Sequence, residues 1–215
     1  MSVERIGERV CHLPDLVGGP SLVLDDDVTI VDTGLAEEAG EILEALEALG
    51  RRRDEVARIL VTHADRDHVG GLAELVAATG ARVHAPAYEA DVIEGKTASR
   101  AGETKEWGRV DERVEPGTTL PFHGGIDVVD THGHTHGHVV YFLRDDGVLF
   151  AGDCVNNVEG LVRSPSRITA DEAGADEAVR TIAALGPANV CFGHGPSLVG
   201  DGAERLAELA RSLER

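Results

Sequence analysis

Two kinds of hydrophobic spacing alternate along the chain. Residues 35–49 carry apolar side chains at helical spacing, and Gly50 follows as the predicted end of that helix. Short apolar runs, by contrast, predict buried strands, as in RILVT at 58–62. The apolar residues that share one face of the 35–49 helix are Ile42, Leu43, Leu46 and Leu49. This alternation predicts β-sheets that are covered by helices.

The same spacing predicts strands and helices in mixed order along the rest of the chain. We expect two strands within 21–31, joined by a turn at Asp25–Asp27, and a hairpin whose turn is residues 144–147. The other predicted strands are 81–86, 126–130, 138–143, 147–151 and the strand within 188–195. The other predicted helices are 71–80, 87–94, 171–185 and 201–214. No linker interrupts this pattern, so we expect one α/β domain over residues 1–215.

Two polar stretches interrupt the pattern. Residues 63–71, HADRDHVGG, directly follow the strand at 58–62 and are predicted to form a loop. Residues 87–118 are polar and mixed, and beyond the short helix at 87–94 we expect a mobile stretch around Trp107. We expect this region to shape the entrance for a substrate.

Composition limits the classes of partner. The chain has 39 acidic and 20 basic residues among 215, and its formal net charge is −19. A charge of this size repels nucleic acid phosphates, so we expect a small-molecule substrate and no nucleic acid partner. Only Lys96 and Lys105 are lysines, and the combination of excess acid with arginine resembles halophilic proteins. The oligomeric state stays open, with a homo-oligomer as one possibility.

The expected compartment follows from what the sequence lacks. No run of about 18 apolar residues is present, so we expect no membrane span. The beginning, MSVERIGERV, is charged and has no apolar core of a signal peptide, which favours a cytoplasmic protein. Three distant cysteines without CxxC spacing argue against a disulfide scaffold, and we interpret Cys11, Cys154 and Cys191 as buried apolar residues.

Side chains that can bind metal collect where predicted strands end. His63, Asp65, Asp67 and His68 lie within six residues directly after the strand at 58–62. Three further candidates stand beside glycines at other strand ends, and they are His134, Asp153 and His194. Imidazole and carboxylate donors without thiolate suit zinc, iron or manganese.

Five motifs in this order resemble the metallo-β-lactamase fold superfamily. They are IVDTG around Asp32, HADRDH at 63–68, THGHTHGH at 131–138, LFAGDC around Asp153 and CFGHGP around His194. The resemblance covers nearly the whole chain. It implies an αββα four-layer sandwich and a metal-dependent hydrolase with two divalent metal ions, zinc first and iron or manganese as alternatives.

The resemblance also implies roles for individual residues. His63, Asp65 and His134 would hold the first metal. Asp67, His68 and His194 would hold the second, with Asp67 also the candidate catalytic residue. Asp153 would bridge the two metals. Alignment of THGHT with the family's TPGHT motif makes His134 the ligand, while His132, His136 and His138 would form hydrogen bonds only. Asp32 would fix a loop or a ligand histidine by a hydrogen bond.

One position departs from the family pattern. Asp65 stands where the family has a second histidine, which gives HxDxDH. This variant resembles phosphodiesterase-type members, including phosphorylcholine esterases and competence nucleases, and various small hydrolases. A carboxylate at this place would favour a harder metal than imidazole does. Asp65 would either bind the first metal or orient His63 or a water, and we favour the first alternative.

The resemblance leaves several reactions open. Our first hypothesis is a hydroxyacylglutathione-hydrolase-like enzyme in which a hydroxide between the metals cleaves a small thioester, ester or lactone. The chain ends one helix after His194, which leads us to expect a substrate other than a glutathione thioester. The alternatives are a phosphodiesterase or phosphomonoesterase of the same fold, and a di-iron redox protein.

Overall fold

Two β-sheets pack face to face, and helices cover the outer face of each. The computed structural model describes residues 2–213. The predicted domain at 1–215 and the predicted helix at 201–214 therefore include residues 1, 214 and 215, which lie outside the described residues. Within 2–213, the αββα four-layer sandwich that the sequence predicted is confirmed.

The first sheet has seven strands that lie in chain order. They are β1 (Glu4–Ile6), β2 (Val10–His12), β3 (Ser21–Leu24), β4 (Val28–Val31), β5 (Val56–Leu60), β6 (Arg82–Pro86) and β7 (Glu112–Val114). Strands β1 to β4 form an antiparallel meander, whereas β4 to β7 run parallel. The parallel half needs crossover connections, and these contain the helices of the first outer layer.

The second sheet has six strands. In chain order they are β8 (Thr119–Leu120), β9 (Ile126–Asp130), β10 (Val139–Leu143), β11 (Val148–Phe150), β14 (Asn189–Cys191) and β15 (Leu198–Val199), and β12 (Val155–Asn156) pairs with β13 (Val162–Arg163) in a separate hairpin. The spatial order is β15-β14-β11-β10-β9-β8. Among its described strands, only β11 and β14 are parallel neighbours.

Within residues 2–213, six α-helices complete the layers. They are α1 (Ala39–Ala48), α2 (Arg66–Val69), α3 (Leu72–Thr79), α4 (Ala87–Ile93), α5 (Glu172–Leu185) and α6 (Gly202–Ser212). Their ends follow local chemistry: the Asp171 side chain accepts a hydrogen bond from the Ala173 N–H at the start of α5, and Gly186 ends that helix at φ 62°. Among residues 2–213, none of the helices is both long and apolar enough to cross a membrane.

Three apolar cores separate the four layers. The core between the sheets contains Leu60 from the first sheet and Tyr141 and Phe150 from the second, all buried. A second core lies under α1, α3 and α4, and a third lies under α5 and α6. Burial of one such large side chain contributes about 1.5–3 kcal/mol to folding. Tyr141 is fully buried, and its hydroxyl donates to the Val61 carbonyl across the sheets.

The structure differs from the sequence prediction in the polar stretches and in the shortest strands. The predicted loop at 63–71 contains the one-turn helix α2, which starts after Asp65. Residues 87–118 contain β7 after α4, and a bridge joins Glu94 to Glu106. Seven strands were not predicted, and they are β1, β2, β7, β8, β12, β13 and β15. Each has two or three residues, too few for a periodic pattern to show.

Candidate metal centre

The ends of several strands meet at one edge of the sandwich. The parallel strands β4 and β5 end there with Asp32 and His63 just beyond them. In the second sheet, the parallel strands β11 and β14 lead to Asp153 and His194. Strand β10 runs antiparallel to β11, so the loop that enters β10 brings His134 to the same edge. Loops that are distant in sequence are therefore adjacent in space.

All seven predicted metal-site residues lie together at this edge. Their donor atoms form three overlapping groups, within each of which every atom lies within 4.8 Å of the others. The groups are His63, Asp65 and His134; His63, His68 and Asp153; and Asp67, His68 and His194. The first and third groups match the two predicted ligand sets, and the second joins them.

The first donor group is closed from solvent. The side chains of His63 and His134 are fully buried, and the Asp65 carboxylate is 12% exposed. The Asp65 Oδ2 atom lies 3.1 Å from His134 Nε2 and 3.8 Å from His63 Nε2. The carboxylate that replaces the family's histidine thus points into the donor group.

The other donor group is more open. His68 is buried, but the side chains of His194 and Asp67 are 31% and 25% exposed, and their Nε2 and Oδ2 atoms lie 3.3 Å apart. Asp153 stands between the groups: one of its oxygens is 3.3 Å from His68 Nε2, and the other is 3.3 Å from His194 Nε2 and 3.6 Å from His134 Nε2. A bridging position therefore suits Asp153.

Several buried donor atoms at this edge lack hydrogen-bond partners. Among the described residues, His63 Nε2, His68 Nε2 and Asp153 Oδ1 are buried and accept or donate no hydrogen bond. Unpaired buried polar atoms are costly, and a metal ion would satisfy all three. Imidazole nitrogen and carboxylate oxygen are ligands of zinc and of other divalent transition metals. The residues present therefore fit divalent metal ions.

Hydrogen bonds fix the histidine tautomers that metal binding needs. The His68 Nδ1–H donates to Asp32 Oδ2 at 2.8 Å. The Thr62 hydroxyl donates to the same Asp32 oxygen, so it accepts from His63 Nδ1–H at 3.0 Å. Each ring then directs the lone pair of Nε2 into the donor group. Asp32 adopts φ 57°, a left-handed conformation that aims its carboxylate at both partners.

Burial and neighbouring charges shift the pKa values of the histidines in the centre. Burial and the neighbouring imidazoles hold the pKa of His63 well below its usual value. Burial opposes the charged form of His68 as well, but Asp32 and Asp153 outweigh it and raise the pKa of His68 well above normal. Hydrogen bonds to Asp153 and Asp67 raise the pKa of His194 to about 9. Divalent cations would replace these protons, because a metal binds the deprotonated ligand.

The carboxylates remain ionised despite their burial. Burial raises the pKa of Asp153, yet the nearby charge of His68 and the contact with His194 bring that pKa well below the usual value. The pKa of Asp65 is also lowered, since His134 and Arg100 outweigh the effect of burial. Negative charge is therefore available to bind cations near neutral pH.

Two further side chains at the centre were missed by the sequence analysis. Arg100 Nε donates to Asp65 Oδ2 at 2.9 Å, and Arg100 Nη2 contacts the same oxygen. Glu89, in α4, accepts hydrogen bonds from the two loops that carry His63, Asp65 and His134, and burial raises its pKa. Neither residue belongs to a motif, so no local signal in the sequence marks them.

The three other histidines of THGHTHGH lie outside the donor groups. His138 is buried, accepts from the Asp153 N–H at 3.2 Å and contacts Thr131 Oγ1 at 2.8 Å, and burial lowers its pKa to about 3. His132 contacts the Asp130 carboxylate, and His136 packs edge-on against Tyr88. Their non-ligand roles stay predictions that this geometry accommodates.

A cavity of about 170 Å³ opens beside the donor groups. Its lining comes from both polar stretches: Asp65, Arg66 and Asp67 on one side, and Ser99, Arg100 and Trp107 among those on the other. Trp107 also packs against the core under α3, and Lys105 Nζ lies 3.6 Å from the centre of its ring. Residues 99–107 thus form one wall of the approach to the centre.

Comparisons with known proteins agree with this geometry. Residues 16–194 match the family model described as the metallo-beta-lactamase superfamily. A hydroxyacylglutathione hydrolase from Methylobacillus flagellatus is 40% identical over 124 residues, which are 58% of this chain and 41% of that protein. One from Rhodobacter capsulatus is 31% identical over 176 residues, 77% of this chain and 59% of that protein. The chain thus spans about half the length of these curated relatives.

Solved structures match over the entire chain. A metallo-beta-lactamase from Pontibacter korlensis superposes with a TM-score of 0.77 at 21% identity, covering 100% of this chain and 99% of that one. One from Cronobacter sakazakii gives 0.78 at 19% identity, covering 100% and 96%. At these identities the likeness shows a shared fold.

Proposed function

The chain belongs to the metallo-beta-lactamase superfamily. From this premise we propose that it is a metal-dependent hydrolase in which two divalent metal ions serve the cleavage of a small thioester, ester or lactone. The observation that carries the proposal is the position of Asp153 between two donor groups of three residues each. A single ion would leave one of these groups without a partner.

The proposed ligand sets follow the donor groups. His63, Asp65 and His134 would hold one ion, and Asp67, His68 and His194 the other, with Asp153 shared. When bound, such a pair supplies a water that is acidic enough to attack at neutral pH and a Lewis acid for the substrate oxygen. We propose zinc, which imidazole-rich sites favour, with iron or manganese as alternatives.

The side chains of the protein would exclude water from one part of the centre and orient the attacking water in another. The buried His63 and His134 keep water from the inner side of the centre, whereas His194 and Asp67 are partly exposed and Asp67 lines the approach. Asp67 is our candidate catalytic residue, because it is the most exposed of the three carboxylates and lines the cavity where a substrate would enter. Its carboxylate would accept a hydrogen bond from the attacking water and so orient it.

The relatives support an acyl substrate, and the cavity supports a small one. The curated relatives are named for the hydrolysis of a hydroxyacylglutathione, which is a thioester. The cavity of about 170 Å³ suits a compact molecule rather than a polymer. The net charge of −19 supports the exclusion of nucleic acid.

One observation favours a second candidate, the hydrolysis of a phosphate ester. Asp65 places a carboxylate in the first donor group, where the family pattern has imidazole. An additional carboxylate favours harder metals such as manganese, which are common partners of phosphates. The substrate panel below separates the two candidates.

Elemental analysis of the purified protein, paired with a substrate panel at high salt, tests the proposal. We expect two metal ions per chain and turnover of thioesters, esters or lactones. Turnover of bis-p-nitrophenyl phosphate without activity on acyl substrates would favour the phosphoesterase. Iron alone, with oxygen consumption and no hydrolysis, would contradict both and support a redox function.

A further inference from the structure

Glu89 is a buried carboxylate whose partners are all neutral. It lies in α4 and is 1% exposed. Its Oε1 atom accepts hydrogen bonds from Thr135 Oγ1 at 2.7 Å and from the Gly137 N–H at 2.9 Å, while Oε2 accepts from the Ala64 N–H at 2.9 Å. Buried carboxylates are rare unless they are paired, and within residues 2–213 no arginine or lysine pairs with this one. The arrangement calls for an explanation beyond packing.

Two of the three partners of Glu89 stand directly next to predicted metal ligands. Ala64 stands between His63 and Asp65, and Thr135 directly follows His134. These neighbours are the complete first donor group. The donors of the second group, Asp67, His68 and His194, lie next to none of the atoms that Glu89 binds.

Glu89 therefore connects two loops that belong to different sheets. The loop with Ala64 follows β5 of the first sheet, and the loop with Thr135 and Gly137 enters β10 of the second. The contact is tight, since a Cβ atom on Gly137 would lie 2.8 Å from Glu89 Oε1. The carboxylate thus fixes how far apart His134 stands from His63 and Asp65.

The sheets do not depend on Glu89 to stay together. The Val139 N–H donates to the Thr62 carbonyl at 3.1 Å, and the Tyr141 hydroxyl donates to the Val61 carbonyl at 2.9 Å. The core between the sheets adds its apolar contacts. Loss of the Glu89 hydrogen bonds should therefore loosen the two ligand loops rather than unfold the sandwich.

We infer that Glu89 is a positioning residue that holds His63, Asp65 and His134 at the spacing one metal ion requires and so sets the affinity of that ion alone. The inference rests on the proposed two-metal function. The second group has its own support, because Asp32 holds His68 from the other side. Positioning partners of this kind change metal affinity by about 10- to 100-fold when they are removed.

The experiment is a zinc titration of the metal-free protein, in which calorimetry and equilibrium dialysis measure the affinity of each ion. The variant E89Q keeps the size of the side chain but turns one acceptor oxygen into an NH₂ group, which cannot accept from an N–H or from Thr135. We expect one of the two zinc ions to bind about 10- to 100-fold more weakly, and the other to bind as in the unaltered protein.

Three further variants separate positioning from general destabilisation. Glu38 is a matched control, because it is also buried and accepts from backbone N–H groups, those of Val17 and Leu35, in loops without a predicted ligand. E38Q should leave unchanged the affinity of the ion that E89Q weakens. T135V removes one hydrogen bond of Glu89 and should weaken the same ion as E89Q, whereas T135S should restore its affinity. T135V and T135S carry the test if E89Q does not fold.

The outcomes test the role of Glu89 separately from the proposed two-metal function. Unaltered protein that binds fewer than two zinc ions would overturn the two-metal proposal and the inference with it. If the unaltered protein binds two ions, an E89Q or T135V variant that binds both as tightly, or both equally weakly, would overturn the role of Glu89 and leave the proposed function standing.

Discussion

The two sides of the metal centre differ in exposure and in how they are held. The side of His63, Asp65 and His134 is almost closed, and the hydrogen bonds of Glu89 reach the loops beside it. On the other side, His194 and Asp67 are a quarter to a third exposed, and Asp32 holds the buried His68 but neither of these two. The first donor group is therefore buried and held by hydrogen bonds, whereas the second is partly open to solvent.

This difference suggests a division of labour. A closed donor group loses little entropy on binding an ion, since its side chains are already packed in place. An open group leaves room for water and for a substrate that enters from the cavity. We therefore expect changes on the closed side to act through metal affinity, and changes on the open side to act on turnover as well.

Replacement of the shared carboxylate should have the largest effect, because it acts on both sides at once. Asp153 approaches His134 on the closed side and His68 and His194 on the other. We expect D153A to lose metal and to show turnover at background, as measured by elemental analysis and by the hydrolysis assay. A folded, active D153A protein with its full metal content would show that Asp153 does not join the two sides.

A change at Asp32 should affect the open side more than the closed one. The variant D32N keeps a residue that tolerates the observed φ of 57°, but removes the charge that fixes His68 Nδ1. We expect about 10- to 100-fold weaker binding of one metal ion. If E89Q and D32N are combined, both ions should bind weakly. Should D32N and E89Q weaken the same ion, the two sides would not be independent.

A smaller effect is expected from Arg100, at the rim of the closed side. Arg100 is a quarter exposed and occupies an oxygen of Asp65 that the first metal would need. The variant R100Q should free this oxygen and strengthen the binding of one ion, by no more than about fivefold, because partly exposed ion pairs contribute about 0–1 kcal/mol. Zinc titration at low and high salt measures the change. Weaker binding in R100Q would mean that Arg100 supports Asp65 instead of competing for it.

His136 should have the smallest effect of all. It follows His134 by two residues, but it packs against Tyr88 and lies outside both donor groups. We expect H136A to keep two metal ions per chain and unchanged turnover. A loss of one ion per chain would show that His136, and not His134, completes the closed side.

The sequence predicted the donors of both sides because their signal is local. HADRDH places four of them in six residues after a buried strand, and His134, Asp153 and His194 each stand beside a glycine at a strand end. Glu89 and Arg100, which contact the donors or their loops, gave no such local signal. Glu89 lies 25 residues from Ala64 and 46 from Thr135, and Arg100 lies 35 from Asp65. A side chain whose partners are so distant in sequence looks like any other charged residue of a polar stretch.

The sequence by itself determined the strands and helices that carry strong periodicity and the family resemblance, and it predicted the seven candidate metal donors. All of these depend on residue type and spacing. The spacing of apolar residues decides which faces are buried, and the residue type decides which side chains can bind a metal. Only the tertiary structure decided that one donor group is closed and the other open, and that Glu89 connects two loops from different sheets. Exposure and long-range hydrogen bonds arise when sheets and helices pack, so no short stretch of the chain contains them.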